Sequence, residues 1–187
     1  MEIYSYLVIG LTLFYTATLL HLAGGFSTVL KKEKLYSVHV ISIISAFLYT
    51  IVAFWTNWAL HAVEWTLPKF FMATFEPASY YFIATILIPD KTKDIESWKK
   101  YFYEIKNKYY FVTLLLLINL QVSGYFIFEL NPFDPKQLIS LVSIIPLVIA
   151  LSTRKHIIHL VIMIIFVLQG LVLMFTIASK PGWLLIN

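Results

Sequence analysis

Six runs of roughly 20 mostly apolar residues follow one another along the chain, parted by short clusters of lysine, proline, glycine and acid. No other feature constrains the fold as hard. At 1.5 Å per residue, a helical run of that length matches the roughly 30 Å hydrocarbon core of a bilayer. Inside lipid the backbone must satisfy its own hydrogen bonds, so each run reads as a transmembrane helix. The helices are expected at about 3–24, 36–58, 70–89, 109–130, 138–152 and 156–178. Gly24-Gly25 and the KKEK cluster at 31–34 close the first. Asn131, Pro132, Asp134 and Pro135 close the fourth, and Lys180-Pro181-Gly182 the sixth. Pro146 in the short fifth run predicts a kink or a tilt. The fold class is therefore all-α: one transmembrane domain over residues 1–187, a bundle of six helices.

Composition agrees. Only 13% of the residues are charged and 60% are hydrophobic, whereas soluble domains run near 25% charged. So few charges cannot coat a soluble globule. The net charge of +4 belongs to lysines lying between apolar runs, which leaves no basic soluble surface for nucleic acid. The chain has no cysteine, which excludes disulfides, thiolate metal sites and cysteine nucleophiles. The start, MEIYSYLVIG, carries an acid and no basic n-region, so the first run is expected to stay as a helix. No nucleophile elbow, phosphate loop, dinucleotide fingerprint or HExxH helix occurs, which weighs against an enzyme.

Lysine placement sets an orientation. The loops after the first, third and fifth runs hold 11 of the 14 basic residues, and the opposite side holds Lys69, Lys136 and Lys180. By the positive-inside rule the first three loops face the cytoplasm and both termini lie on the non-cytoplasmic side. The longest loop, 90–108, is patterned: Ile95, Trp98, Phe102 and Ile105 recur at helical spacing with lysines and glutamates between them. It predicts an amphipathic segment over 94–108, capped by Asp94. The segment either lies on the inner leaflet, extends the fourth helix, or is a solvated linker helix; its basic face favours anionic headgroups.

The runs FWTNW (54–58) and WTLPKFF (65–71), the Pro77-bearing third helix ending YYFIATILIPD, and the stretch WKKYFYEIKNKYYF (98–111) together resemble a set of small bacterial six-helix integral membrane proteins. The likeness covers roughly residues 10–115 and departs where Asn107 and Lys108 stand in place of an arginine before the aromatic pair. That set has no established activity, so the resemblance implies the fold and a bacterial cytoplasmic membrane, and no mechanism.

Three constellations could carry chemistry. In the third run Glu76 is followed directly by Pro77. A charged side chain at the bilayer centre costs roughly 2.5 kcal/mol or more on insertion scales. Pro77 has no N–H, so it breaks the helical ladder and frees the Ala73 carbonyl. Glu76, roughly 9 Å below the start of the run at 1.5 Å per residue, is then a candidate proton or cation site. Tyr80 lies one turn on, and Gln121 reaches a similar depth on the fourth helix, with Asn119 nearer the midplane. The competing reading is a protonated Glu76 bonded to Gln121 or Tyr80 as structural glue. On the cytoplasmic side His21, His39, His156 and His159 reach one level. Four imidazoles could hold zinc, copper or haem iron; the plainer reading gives them loop and headgroup hydrogen bonds, with no cofactor. At the outer side His61, Glu64, Trp65 and Lys69 suggest an interfacial turn or a short re-entrant helix.

These residues predict a small channel or transporter for a proton, ion or small solute that uses Glu76, supported by Tyr80, Asn119 and Gln121. The alternatives are a sensor or assembly module built on the basic loops, and a haem- or metal-binding redox subunit. The bilayer is the expected partner, and a homo-oligomer follows if one bundle cannot enclose a pore.

Overall fold

The computed structural model describes residues 3–30, 35–92, 95–175, 179–181 and 183–185. The 31–34 cluster, Lys93, Asp94, the end of the sixth run at 176–178 and Gly182 lie outside the described residues. Among the described residues the secondary structure is entirely helical. It comprises α1 (Ile3–Leu30), α2 (Ser37–Thr56), α3 (Leu67–Leu87), α4 (Trp98–Phe128), α5 (Pro135–Ser152) and α6 (His156–Phe175). A 3-10 turn at Asn57–Ala62 continues α2, and another at Trp183–Leu185 follows α6. Five of the six helices are long and apolar enough to cross a membrane. The exception is α3, whose 21 residues span roughly 31 Å at 1.5 Å each. It is diluted by Lys69, Glu76 and the Tyr80–Tyr81 pair. The helix that falls short in hydropathy is thus the one that carries the acid.

Several expected boundaries move, each for a local reason. Gly24-Gly25 does not end α1, which runs on to Leu30. Gly25 instead lies against Ile88 at the end of α3, where a methyl group would stand 2.1 Å from Ile88 Cγ2. It is a site of close approach, not a cap. Helix α3 begins at Leu67, three residues early, because Thr66 Oγ1 accepts a hydrogen bond from the Lys69 amide and Pro68 occupies the first turn. The acid is therefore nine residues, roughly 14 Å, into the helix and near its midpoint. Pro77 is buried and does not break α3; the helix continues through it, as α5 does through Pro146. Asp134 Oδ1 accepts from the Lys136 amide at 2.8 Å, so α5 starts at Pro135.

The amphipathic segment and the fourth span form one continuous 31-residue helix, begun by Ser97, whose Oγ accepts from the Lys100 amide. The centre of its apolar side is covered by protein. Trp98 and Phe102 are wholly buried in the protein, Trp98 stacked on His39 with ring centroids 4.8 Å apart.

The arrangement is a ring. Helix α2 packs on α6 and α3, α3 on α4, α4 on α5, and a thinner seam joins α5 to α6. Helix α1 stands outside the ring against α2 and α3. Both described ends lie at one end of the bundle: Tyr4 meets the His61 ring at 6.2 Å, and Lys136 Nζ donates to the Leu184 carbonyl at 3.1 Å.

Candidate functional site

The five helices of the ring line a cavity of about 220 Å³. Its walls are mostly apolar, supplied by leucines of α4 such as Leu116, Leu117 and Leu120 and by the rings of Tyr49, Tyr80, Tyr109 and Phe166. Glu76 is the one acidic residue in the lining. It is half-buried and, among the described residues, has neither a hydrogen-bond donor nor a cation for a partner. Tyr15 and Tyr80 are its electrostatic neighbours. An ionised carboxylate in such a place carries an uncompensated desolvation cost. It therefore calls for a proton or an incoming cation.

The other residues singled out with Glu76 divide. Tyr80 lines the same cavity. Gln121 and Asn119 do not. Gln121 Nε2 donates to the Gln137 carbonyl at 2.8 Å and to Ser140 Oγ at 2.6 Å, tying α4 to α5. Asn119 keeps a buried Nδ2 without a partner, outside the lining. The stripe of α4 that faces the cavity runs through Tyr109, Thr113, Leu116, Leu120 and Ser123 at steps of three and four. Asn119 and Gln121 sit on its two flanks. Gln169 of α6 is spent across the thin seam: its Nε2 donates to the Ile139 carbonyl at 3.1 Å and to Ser143 Oγ at 2.9 Å.

Gln137 is the residue that sequence reasoning missed. It is 4% exposed and lines the cavity. Its Nε2 donates to the Leu130 and Asn131 carbonyls at 3.3 Å each, while Oε1 is buried without a partner. Gln137 stands three residues after the capping Asp134, the spacing of a capping box, so its position alone suggests a purely local role. The side chain reaches out of the helix instead, over Gly124, where a Cβ would meet its amide at 2.6 Å.

The four inner histidines are distributed among separate partners. His21 Nε2 bonds the Ile88 carbonyl at 2.7 Å, and His39 stacks on Trp98. His156 Nδ1 bonds the Tyr36 hydroxyl at 3.0 Å, and His159 Nδ1 the Tyr110 hydroxyl at 2.9 Å. Among the described residues no three histidines or carboxylates come together as a metal-ligand set. Nearby, Lys106 is buried, with Nζ donating to the Leu151 carbonyl at the end of α5 and to Asn107 Oδ1. Burial, and then the Arg154 charge, pull this lysine below its ordinary pKa. At the other end His61 turns to the Trp58 carbonyl and packs on the Trp58 ring within the 3-10 turn, while Glu64 and Trp65 lie in the non-helical link that follows and Lys69 in the first turn of α3, so the cluster forms no re-entrant helix. The chain matches no protein-family model, no curated protein and no solved structure, which leaves its own geometry to carry the functional reading.

Proposed function

We propose that the chain is a six-span integral membrane protein that passes a proton, an ion or a small solute through its five-helix ring, with Glu76 as the ionisable site. One observation carries this reading: among the described residues, a carboxylate with no partner of its own lines a cavity near the midpoint of α3. An acid kept only for packing would be bonded, as Gln121 and Gln169 are. Tyr80 shares the cavity and supports Glu76 directly; Asn119 and Gln121 act through the packing of α4. Because the helices of one bundle supply the whole lining of the cavity, the reading places the site within a single protomer.

In this reading α3 crosses the membrane as the sixth span, since its neighbours on both sides of the ring are spans. The lysine-rich connections face the cytoplasm and both termini face away from it. Exposed Lys99, Lys100 and Lys108 on the extension of α4 meet anionic headgroups. A bacterial cytoplasmic membrane is the location proposed with this reading, in keeping with the resemblance to small bacterial six-helix proteins. A redox subunit has less support, since among the described residues no three of the histidines or carboxylates come together as a ligand set. A sensor or assembly module built on the basic loops would leave the cavity and its acid without a role.

The test is flux in proteoliposomes loaded with a pH-reporting dye, under an imposed potassium diffusion potential. Wild-type protein is expected to pass protons or cations, and Glu76→Gln to reduce the rate at least tenfold while keeping its helical circular dichroism. Equal flux in the two proteins refutes the mechanism.

A further inference from the structure

The hydrogen-bonding groups around the cavity are unevenly spent. Tyr49 donates its hydroxyl to the Phe166 carbonyl at 3.1 Å, and Tyr109 donates to Met163 Sδ at 3.7 Å. Ser140 and Ser143 donate to backbone carbonyls of α5, and both donors of the Gln137 amide go to carbonyls at the end of α4. What remains free is mostly able to accept. The Glu76 carboxylate has no partner, and neither has the buried Gln137 Oε1. The buried hydroxyls of Ser45 and Ser123 are also unpartnered, and a hydroxyl accepts as readily as it donates. The one cation in the lining, Lys136, has Nζ on the Leu184 carbonyl at the outer end.

We infer that the cavity is a binding site for a small primary alkylammonium ion, with Glu76 as the seat of the charge. The inference rests on the reading of Glu76 as the ionisable group of the site. An ammonium group brings N–H donors and a positive charge, whereas the lining's own Lys136 Nζ and Gln137 Nε2 already donate to backbone carbonyls. The faces of Tyr49, Tyr80, Tyr109 and Phe166 attract the same charge through their ring quadrupoles. The leucines of α4 take the alkyl part. Gln137 lies in the first turn of α5 and Glu76 nine residues into α3, so the two acceptors stand at successive depths. Gln137 Oε1 is the acceptor that an ion entering from that end meets first.

Size and chemistry exclude the competitors. At about 220 Å³ the cavity is smaller than the roughly 300–1,000 Å³ of drug-sized pockets, so the guest has few carbon atoms. A bare cation such as calcium needs about 6–8 oxygen ligands at one point, and the Glu76 carboxylate and Gln137 Oε1 stand at different depths. An anion would face Glu76 with no dedicated donor. A neutral alcohol would leave the carboxylate uncompensated, and a proton alone requires no cavity.

The test uses full-length protein in nanodiscs at pH 7, titrated calorimetrically with n-butylammonium chloride, with n-butanol as the neutral isostere and butyrate as the anion. Saturable binding is expected for butylammonium alone. Glu76→Gln should weaken it at least tenfold. Tyr80→Leu should lose several-fold, within the roughly 2- to 30-fold that a cation–π contact supports. Butanol binding as well as butylammonium, or unchanged affinity in a Glu76→Gln protein that retains its melting transition, overturns the inference. Glu76-dependent proton flux without butylammonium binding also overturns it and leaves the ionisable-site reading intact. Butylammonium binding that depends on Glu76, in a protein that passes nothing, supports the site and removes transport.

Discussion

Replacing Gly25 by alanine tests the contact that holds α1 against the acid-bearing helix. The added methyl would stand 2.1 Å from Cγ2, 2.8 Å from Cδ1 and 3.1 Å from Cβ of Ile88. Carbon atoms prefer separations of about 3.5–4.0 Å, so Ile88 must leave its place or the helices must part by more than about 1 Å. Ile88 is poorly able to yield. It is β-branched and stiff at χ1, it is 3% exposed, and its carbonyl is held by His21 at 2.7 Å. Overpacking of this kind costs about 1–3 kcal/mol, and a strained hydrogen bond adds roughly 1 kcal/mol. The better helix propensity of alanine returns at most about 1 kcal/mol. The net expectation is a loss of about 1–3 kcal/mol, or a fall in Tm of about 3–10 °C at this chain length. Gly10 and Gly24 are internal controls, because a methyl at either meets nothing within 4 Å. Thermal unfolding in detergent, followed by fluorescence of the five tryptophans, compares the three variants. A Gly25→Ala protein that melts at or above Gly24→Ala refutes the packing argument.

Other outcomes follow from single residues. Glu129 ends α4 in the left-handed region at φ 57°, with the Leu130 amide bonded back to the Gly124 carbonyl at 3.0 Å. Glu129→Gly relieves that conformation and should raise stability by about 0.5–1 kcal/mol, read as a higher Tm. Tyr101, on the extension of α4, donates to the Ile86 carbonyl at 2.7 Å, and burial, helped by the Glu104 charge, pushes its pKa up to about 12. An unfolded tyrosine ionises near pH 10, so between about pH 10 and 12 the folded state binds the extra proton and stability falls as pH rises. Tyr101→Phe should flatten that alkaline decline in a Tm-against-pH series. Gln121→Leu and Gln169→Leu should each lower stability by about 1–2 kcal/mol through lost interhelical hydrogen bonds. Both should keep butylammonium affinity within about threefold of wild type, as measured by the same calorimetry.

Most helices were legible because hydropathy over 20 residues needs no partner to be read. Boundaries that depend on a distant residue were not. Gly24-Gly25 has the composition of a stop, and only the placement of Ile88 turns Gly25 into a packing surface. The start of α3 was available in Thr66 and Pro68, whose capping chemistry outranks the later onset of strong hydropathy at Phe70. Trp98 and Phe102 announced an amphipathic helix, but amphipathicity does not say whether lipid or protein covers the apolar face. The candidate site was half legible for a similar reason. Counting residues gives depth, and depth brought Gln121 level with Glu76. It does not fix the angle about the helix axis, which turns Gln121 toward Ser140 and Leu120 toward the cavity.

The polar residues inside this bundle separate by what has been done with their hydrogen bonds. Gln121 and Gln169 spend their donors across helix seams, one joining α4 to α5 and the other α5 to α6. Lys106 spends its donors on the Leu151 carbonyl at the end of α5 and on Asn107 Oδ1. Each stabilises the packing of the ring, and with its partners supplied it has little left to offer a guest. Glu76, Gln137 Oε1 and the hydroxyls of Ser45 and Ser123 are the reverse case. They add nothing to cohesion, they carry the cost of desolvation, and all four residues open on the same void. A bundle selected only for stability would replace them with leucine, alanine or methionine of similar volume and gain by the change. Their cost is recovered when something else enters the cavity; Asn119 Nδ2, unpartnered outside the lining, has no such return, so it is the unpartnered groups sharing one void that identify the working face of the molecule.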